Sequence, residues 1–239
     1  MTVAGATAEK PSRLVGPNEP VRVLDGPRRF VGRGGEKLDA ALAAFSIDAS
    51  DRWALDAGAS TGGFTDCLLR RGAGRVVAVD VGYGQLHPRL REDPRVTVLE
   101  RTNVRHLTLD AAGGRPFDIV TADLSFISLR TVAANLVALA RTDADLVVLV
   151  KPQFEAGRLE ASRGKGVIHD PQVWGRVLRE VGDAFAAHDA AMIGAMVSPL
   201  RGAEGNVEFL VHLRAHGRPR PDIDLAAVVA DAGARLGRG

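Results

Sequence analysis

Six side chains in this chain have the type and placement to do chemistry: Lys37, Asp56, Asp80, Asp123, Lys151 and Glu208. Asp56 lies in Ala54-Leu55-Asp56-Ala57-Gly58-Ala59-Ser60-Thr61-Gly62-Gly63-Phe64, where an apolar stretch gives way to small residues and glycines. Glycines let a backbone turn sharply and a ligand approach, and the first amides of a following helix are free to bind it. The spacing departs from the G-x-G-x-x-G of dinucleotide binders, since position 60 is serine and a carboxylate stands in the turn. That carboxylate would repel a pyrophosphate but suits a cationic amino-acid end, as in S-adenosylmethionine. Glycine turns of no catalytic meaning are common, so the loop alone leaves the question open. Arg75-Val76-Val77-Ala78-Val79-Asp80 ends on an acid 24 residues after Asp56. An acid about 20 residues on holds a ribose in dinucleotide folds, which makes Asp80, followed by Val81, the candidate ribose ligand. Thr102 and Asn103 follow a third apolar run, and Asn103 is placed to meet an adenine edge.

The elements that must position these groups can be read from periodicity. Leu38, Ala41, Leu42 and Phe45 mark an amphipathic helix from near Lys37 to Ser46. A lysine at a helix start is electrostatically unfavourable, which hints at a task other than stability. Apolar runs at 75–80, 96–99, 117–122 and 145–150 alternate with helical segments such as 129–139. Near-continuous Val, Leu and Ala bounded by helices predict a parallel sheet buried on both faces, with functional residues at its carboxyl ends. Asp56, Asp80, Asp123 and Lys151 all fall there. Pro171 opens a helix through Phe185, and strands are expected at 191–197 and 206–213. Glu208 stands inside the last, where a carboxylate is costly unless a cation faces it.

Composition excludes several classes. The 239 residues suffice for one α/β domain with a short appendage, and Lys plus Arg number 31 against 29 acids. The single cysteine, Cys67, cannot form an internal disulfide, fits a reducing cytoplasm and sits at a packed helical position. No run of about 18 apolar residues and no export signal is present, so no membrane partner is expected. The six histidines show no metal-ligand spacing, and no metal is expected. Arg28, Arg29 and Arg33, and then Arg158, Arg163 and Lys165 in an irregular glycine-bearing segment, are either solvated charges or contacts to a polyanion.

The runs Arg33-Gly34-Gly35-Glu36-Lys37-Leu38, Leu55 to Asp66, Asp80-Val81-Gly82-Tyr83-Gly84-Gln85-Leu86, Leu124-Ser125-Phe126-Ile127-Ser128-Leu129, Val150-Lys151-Pro152-Gln153-Phe154-Glu155 and Gly205-Asn206-Val207-Glu208-Phe209 together resemble the TlyA family. Those proteins are ribosomal-RNA ribose 2′-O-methyltransferases, more distantly similar to the FtsJ/RrmJ methyltransferases. The resemblance implies a class I S-adenosylmethionine-dependent methyltransferase fold, α/β and Rossmann-like, with a mostly parallel seven-stranded sheet. It implies a Lys-Asp-Lys-Glu tetrad of Lys37, Asp123, Lys151 and Glu208, with ribosomal RNA or ribosomal subunits as partner. Cofactor contacts are expected from Asp56, Gly58, Ala59, Ser60, Thr61, Gly62, Gly63, Phe64, Asp80, Val81, Thr102, Asn103 and Asp123. Phosphate contacts are expected from Arg28, Arg29, Arg33, Arg158, Arg163 and Lys165.

The resemblance departs at the front. Residues 19–36 match only the last strand and linker of the S4-type RNA-binding domain that such proteins carry. The expected organisation is a flexible tail at 1–18, that remnant, a methyltransferase domain at 37–216 and a C-terminal tail and helix at 217–239. The shortened front leaves a small-molecule hydroxyl as the alternative substrate, and a haemolysin-like, non-enzymatic role as a more remote one.

Overall fold

The computed structural model describes residues 2–4, 6–7, 14–22, 29–157, 160, 166–217 and 223–236. Its first elements are three two-residue strands, β1 (Thr2–Val3), β2 (Ala6–Thr7) and β3 (Val21–Arg22), paired antiparallel in the order β2-β1-β3. A flexible tail is the sequence expectation over 1–18. Two-residue strands carry too little alternation to be recognised, and only pairing with β3 defines them.

The remaining elements are α1 (Gly34–Ala44), β4 (Trp53–Ala57), α2 (Gly63–Arg70), β5 (Arg75–Val79), α3 (Pro88–Arg91), β6 (Val96–Leu99), β7 (Phe117–Ala122), α4 (Leu129–Leu139), β8 (Ala140–Val150), α5 (Pro152–Glu155), α6 (Pro171–Ala186), β9 (Ala190–Val197), β10 (Phe209–Ala215) and α7 (Leu225–Leu236). Seven strands form one sheet in the order β6-β5-β4-β7-β8-β10-β9. The first five run parallel, whereas β10 is antiparallel to both β8 and β9. Crossover helices enforce the parallel part, and β9 returns antiparallel as β10 through the loop at 198–208 with no crossover helix.

Strand side chains alternate between two buried faces. Ala54, Val76 and Val147 pack with Leu38, Leu42, Phe64 and Leu68 of α1 and α2. Leu55, Val77 and Val148 pack on the other side with Leu136, Trp174 and Phe185 of α4 and α6. Each such fully buried Leu or Phe contributes roughly 1.5–3 kcal/mol. Cys67 belongs to the first cluster, and burial pushes its thiol up to about 12, so it packs and does not react.

Three boundaries differ from the sequence reading. Helix α1 starts at Gly34, three residues before Lys37, because Gly34 and Gly35 nest against Gly63 and Phe30, where packing overrides the poor helix propensity of glycine. Strand β8 begins at Ala140, beyond the expected 145, with an irregular register opposite β7. Strand β10 begins at Phe209, so Glu208 stands just before the strand and not inside it.

Candidate active site

The glycine-bearing loop between β4 and α2 is tied to the strands beside it. Gly58 and Ala59 donate their amides to Val79 O at 2.8 and 3.1 Å, and Asp123 N donates to Ala57 O at 2.9 Å. Gly58 has φ +83°, and a Cβ there would stand 2.4 Å from Asp123 O; Gly62, at φ +97°, precedes the first turn of α2. Only glycine permits this path. Ser60 and Thr61 are exposed on the loop, whereas Gly63 and Phe64 are buried against the start of α1. Gly63 and Phe64, expected to touch a cofactor, seat α2 on α1.

Asp56 is also corrected. It lies within β4, not in the turn, and is wholly buried. The pleat directs it to the face covered by α2, where Thr65 Oγ1 donates to Oδ2 at 2.6 Å and Thr121 Oγ1 lies 3.5 Å from Oδ1. Burial raises its pKa to about 7, and the charge of Asp123 adds to that rise against the hydrogen bonds from Thr65 and Thr121. Asp56 braces the loop from beneath.

Asp80 follows β5 and joins the loop to the next turn: Oδ2 accepts Ser60 N at 2.7 Å and Oδ1 accepts Gly82 N at 2.7 Å. A narrow cavity of about 10 Å³ runs along Ala59, Ser60, Asp80, Gly82, Gln85 and Glu100. Thr102 Oγ1 donates to Glu100 O at 3.0 Å. Asn103 is exposed, and its Oδ1 accepts Arg105 N at 3.0 Å. Val81 is exposed beyond Asp80.

The two lysines are each matched to one carboxylate. Lys37 Nζ meets Glu208 Oε2 at 2.5 Å, both side chains being buried. Lys151 Nζ lies 2.6 Å from Asp123 Oδ1 and donates to Ser125 Oγ at 2.9 Å. The Lys151–Asp123 contact is close but poorly aligned. Asp123 Oδ1 consequently counts, with Gln153 Oε1 and Trp53 Nε1, among the buried side-chain polar atoms that lack a directed hydrogen bond among the described residues.

The topology assembles the four residues. Phe209 pairs with Val150, which puts Glu208 and Lys151 at the same edge of the sheet, and Asp123 directly follows Ala122 of the neighbouring β7. A Cβ on Gly34 would stand 3.8 Å from Asp123 Oδ2, so the first turn of α1 brings Lys37 to that edge. The carboxylates of Asp123 and Asp80 are acceptors suited to an ammonium and to ribose hydroxyls, and the exposed loop at Ser60 and Thr61 lies beside them.

Three contributors were not among the expected site residues, although Ser125 and Glu155 lie in the runs that carry the resemblance. Ser125 gains its meaning only from the reach of Lys151, and Glu155 from a contact to α4. Gly202 lets the carboxylate of Glu208 fold back, because a Cβ there would be 2.3 Å from Oε1.

The basic residues divide. Arg29 is exposed, with its guanidinium 2.6 Å from Asp39 and 4.8 Å over the ring of Phe30. Arg33 is exposed, and its guanidinium donates to Arg201 O at 2.9 Å. Arg28, Arg158, Arg163 and Lys165 lie outside the described residues. Two aromatic rings stand out near the site: Phe126, 90% exposed at φ +65°, and Tyr83, 69% exposed beneath Arg101. Among the described residues no cluster of His, Cys, Asp and Glu could hold a metal, and no helix is long and apolar enough to cross a membrane.

Comparison with known proteins gives a consistent result. The family model described as FtsJ-like methyltransferase matches residues 30–215. The 16S/23S rRNA (cytidine-2′-O)-methyltransferase TlyA of Mycobacterium tuberculosis is 52% identical over 213 residues, covering 89% of this chain and 79% of that protein. A solved structure from Streptococcus thermophilus, described as a candidate haemolysin, superposes with a TM-score of 0.85 at 38% identity, covering 89% of this chain and 78% of that one. The N-methyltransferase NodS of Bradyrhizobium japonicum shares the fold alone, at 17% identity and a TM-score of 0.54 over 79% of this chain and 98% of its own.

Proposed function

This chain belongs to the FtsJ-like methyltransferase family, and on that premise we propose that it transfers a methyl group from S-adenosylmethionine to ribose 2′-hydroxyls of ribosomal RNA. The observation that carries the reading is the convergence of Lys151–Asp123 and Lys37–Glu208 at one sheet edge beside the glycine-bearing loop. On the same reading residues 37–216 form the methyltransferase domain, residues 19–36 the end and linker of an S4-type RNA-binding domain, and the site of action is the cytoplasm.

S-adenosylmethionine, when bound, supplies a methyl on a sulfonium, an electrophile that leaves behind a neutral thioether. Asp80 would accept hydrogen bonds from the cofactor's ribose, the exposed loop amides would line its amino-acid end, and Asp123 would take its ammonium. The attacking hydroxyl must be in line and its lone pair directed. Lys151 is positioned to donate to that oxygen, held between Asp123 and Ser125. With so activated a donor, Lys151 steers the hydroxyl, and the hydroxyl proton leaves late to water. Lys37 and Glu208 complete the neutral lining behind it.

RNA is favoured over a small-molecule hydroxyl by what surrounds the site. A metabolite enzyme encloses its substrate in a largely apolar pocket. Here the exposed rings of Phe126 and Tyr83 instead offer faces on which unstacked bases can lie. The test is incubation with labelled S-adenosylmethionine and either ribosomal subunits or an RNA-free metabolite extract. Label should enter ribosomal RNA, with a rate that falls steeply with salt because phosphate contacts release counterions. Lys151→Ala should lower that rate by about 100- to 10,000-fold with cofactor affinity unchanged. Label confined to a metabolite would overturn the RNA reading.

A further inference from the structure

Glu155 is a buried acid that the chemistry above leaves without a task. It is 3% exposed at the end of α5, the single turn that follows Lys151. Its Oε2 accepts Ser128 Oγ at 2.5 Å and its Oε1 accepts Leu129 N at 2.7 Å, while Arg130 Nη2 donates to its main-chain oxygen at 2.7 Å. Burial raises its pKa, against the hydrogen bonds from Ser128 and Leu129 and the charge of Arg130. Arg130 Nε, 3.5 Å from Oε2, offsets part of the cost of taking this carboxylate out of water, and Ser128 already caps α4 by accepting Arg130 N at 3.2 Å, so the remaining return lies elsewhere.

The segment between Asp123 and Leu129 supplies that return. It carries Ser125, which receives the Lys151 ammonium, and Phe126, whose backbone stands in the left-handed region at φ +65°. A non-glycine residue holds such a conformation only when its surroundings impose it. One end of the segment is fixed by the bond from Asp123 N to Ala57 O at 2.9 Å. The other end is fixed by Glu155. The ring of Phe126 rests 5.2 Å from that of Phe154, inside the same turn as Glu155. Lys151 and Glu155 thus bracket one short turn, and the segment opposite touches both: Ser125 meets Lys151, Ser128 and Leu129 meet Glu155.

We infer that Glu155 is a positioning residue for methyl transfer, clamping the Ser125–Ser128 segment to the turn after Lys151 so that the ammonium stays aimed at the incoming hydroxyl. The inference rests on the proposed role of Lys151. Without the clamp, Phe126 relaxes out of the left-handed region, Ser125 leaves the Lys151 ammonium, and that ammonium samples other directions.

The experiment compares the full chain with Glu155→Ala, Glu155→Gln and Ser128→Ala. Methylation of ribosomal RNA is measured well below each melting temperature, together with S-adenosylmethionine affinity. Glutamine keeps an acceptor for Leu129 N, so Glu155→Gln should stay within about threefold of the parent. Glu155→Ala should lower kcat about 10- to 100-fold with cofactor affinity unchanged, and Ser128→Ala should fall between. A second readout needs no activity: competitive acylation of Lys151 at limiting reagent, followed by mass spectrometry, should run faster in Glu155→Ala because its partners have moved. Ser128→Ala carries the test if Glu155→Ala fails to fold. Unchanged kcat and unchanged Lys151 labelling in the folded variants would overturn the clamp and leave Glu155 a helix cap. A parent that labels no RNA, or a Lys151→Ala variant as active as the parent, would instead overturn the reading of Lys151 itself.

Discussion

Replacing Asp56 by asparagine should make the protein more stable above neutral pH and flatten its pH dependence. Asp56 is wholly buried beneath the glycine-bearing loop, with its pKa raised from 3.8 to about 7, chiefly by burial. Between about pH 4 and 7 the folded chain therefore keeps a proton that the unfolded chain has released. Its contribution is fully present below pH 4, declines as pH rises towards 7, and is flat above. At 1.36 kcal/mol per tenfold change in acidity, the span is worth roughly 4 kcal/mol. Asparagine has the same shape and can still accept from Thr65, but carries no charge to desolvate. The assay is urea unfolding of parent and Asp56→Asn from pH 5 to 8.5. The parent should lose about 2–3 kcal/mol across the range that the variant does not. Glu155, also raised by burial, slopes the same way in both proteins and cancels in the difference. Parallel profiles would mean that Asp56 is ionised and satisfied in the fold and that the desolvation argument fails.

Other predictions concern the site. Glu208→Gln leaves the Lys37 ammonium buried without its charge partner, so it should cost about 3–5 kcal/mol in denaturant unfolding as well as turnover. The double change Lys37→Met with Glu208→Leu should recover much of the stability and none of the methylation, which separates packing from chemistry. Asp80→Ala should weaken S-adenosylmethionine by about 1.5–3 kcal/mol in calorimetry, through lost ribose hydrogen bonds and through release of the Ser60 and Gly82 amides. Gly58→Val should act differently from a simple filling of cofactor space. Its side chain would strike the Asp123 carbonyl, so turnover should fall together with cofactor affinity.

The alternation of apolar runs with amphipathic segments was enough to place a parallel sheet, its buried faces and the edge at which Asp80, Asp123 and Lys151 emerge. That follows because strand ends and helix faces are set by local periodicity, which the chain carries residue by residue. Lys37 and Glu208 could be singled out because each stands where its charge is locally unfavourable, and such conflicts mark residues answering to distant partners. What local pattern could not decide was direction and company. Asp56 has the sequence neighbours of a loop ligand, yet the pleat of β4 turns it under α2, a consequence of strand register that spacing does not encode. Gly63 and Phe64 belong to the same motif and are taken up in seating α2 on α1. The pairing of Lys37 with Glu208, 171 residues apart, depends on β10 closing antiparallel onto β8, and that of Lys151 with Asp123 on β7 lying parallel beside β8. Ser125 and Glu155 acquire their contacts only once that sheet has brought two short turns face to face. Local chemistry names the candidates; the tertiary fold chooses partners among them, because a charge in a buried place is stable only beside the group that the topology delivers to it.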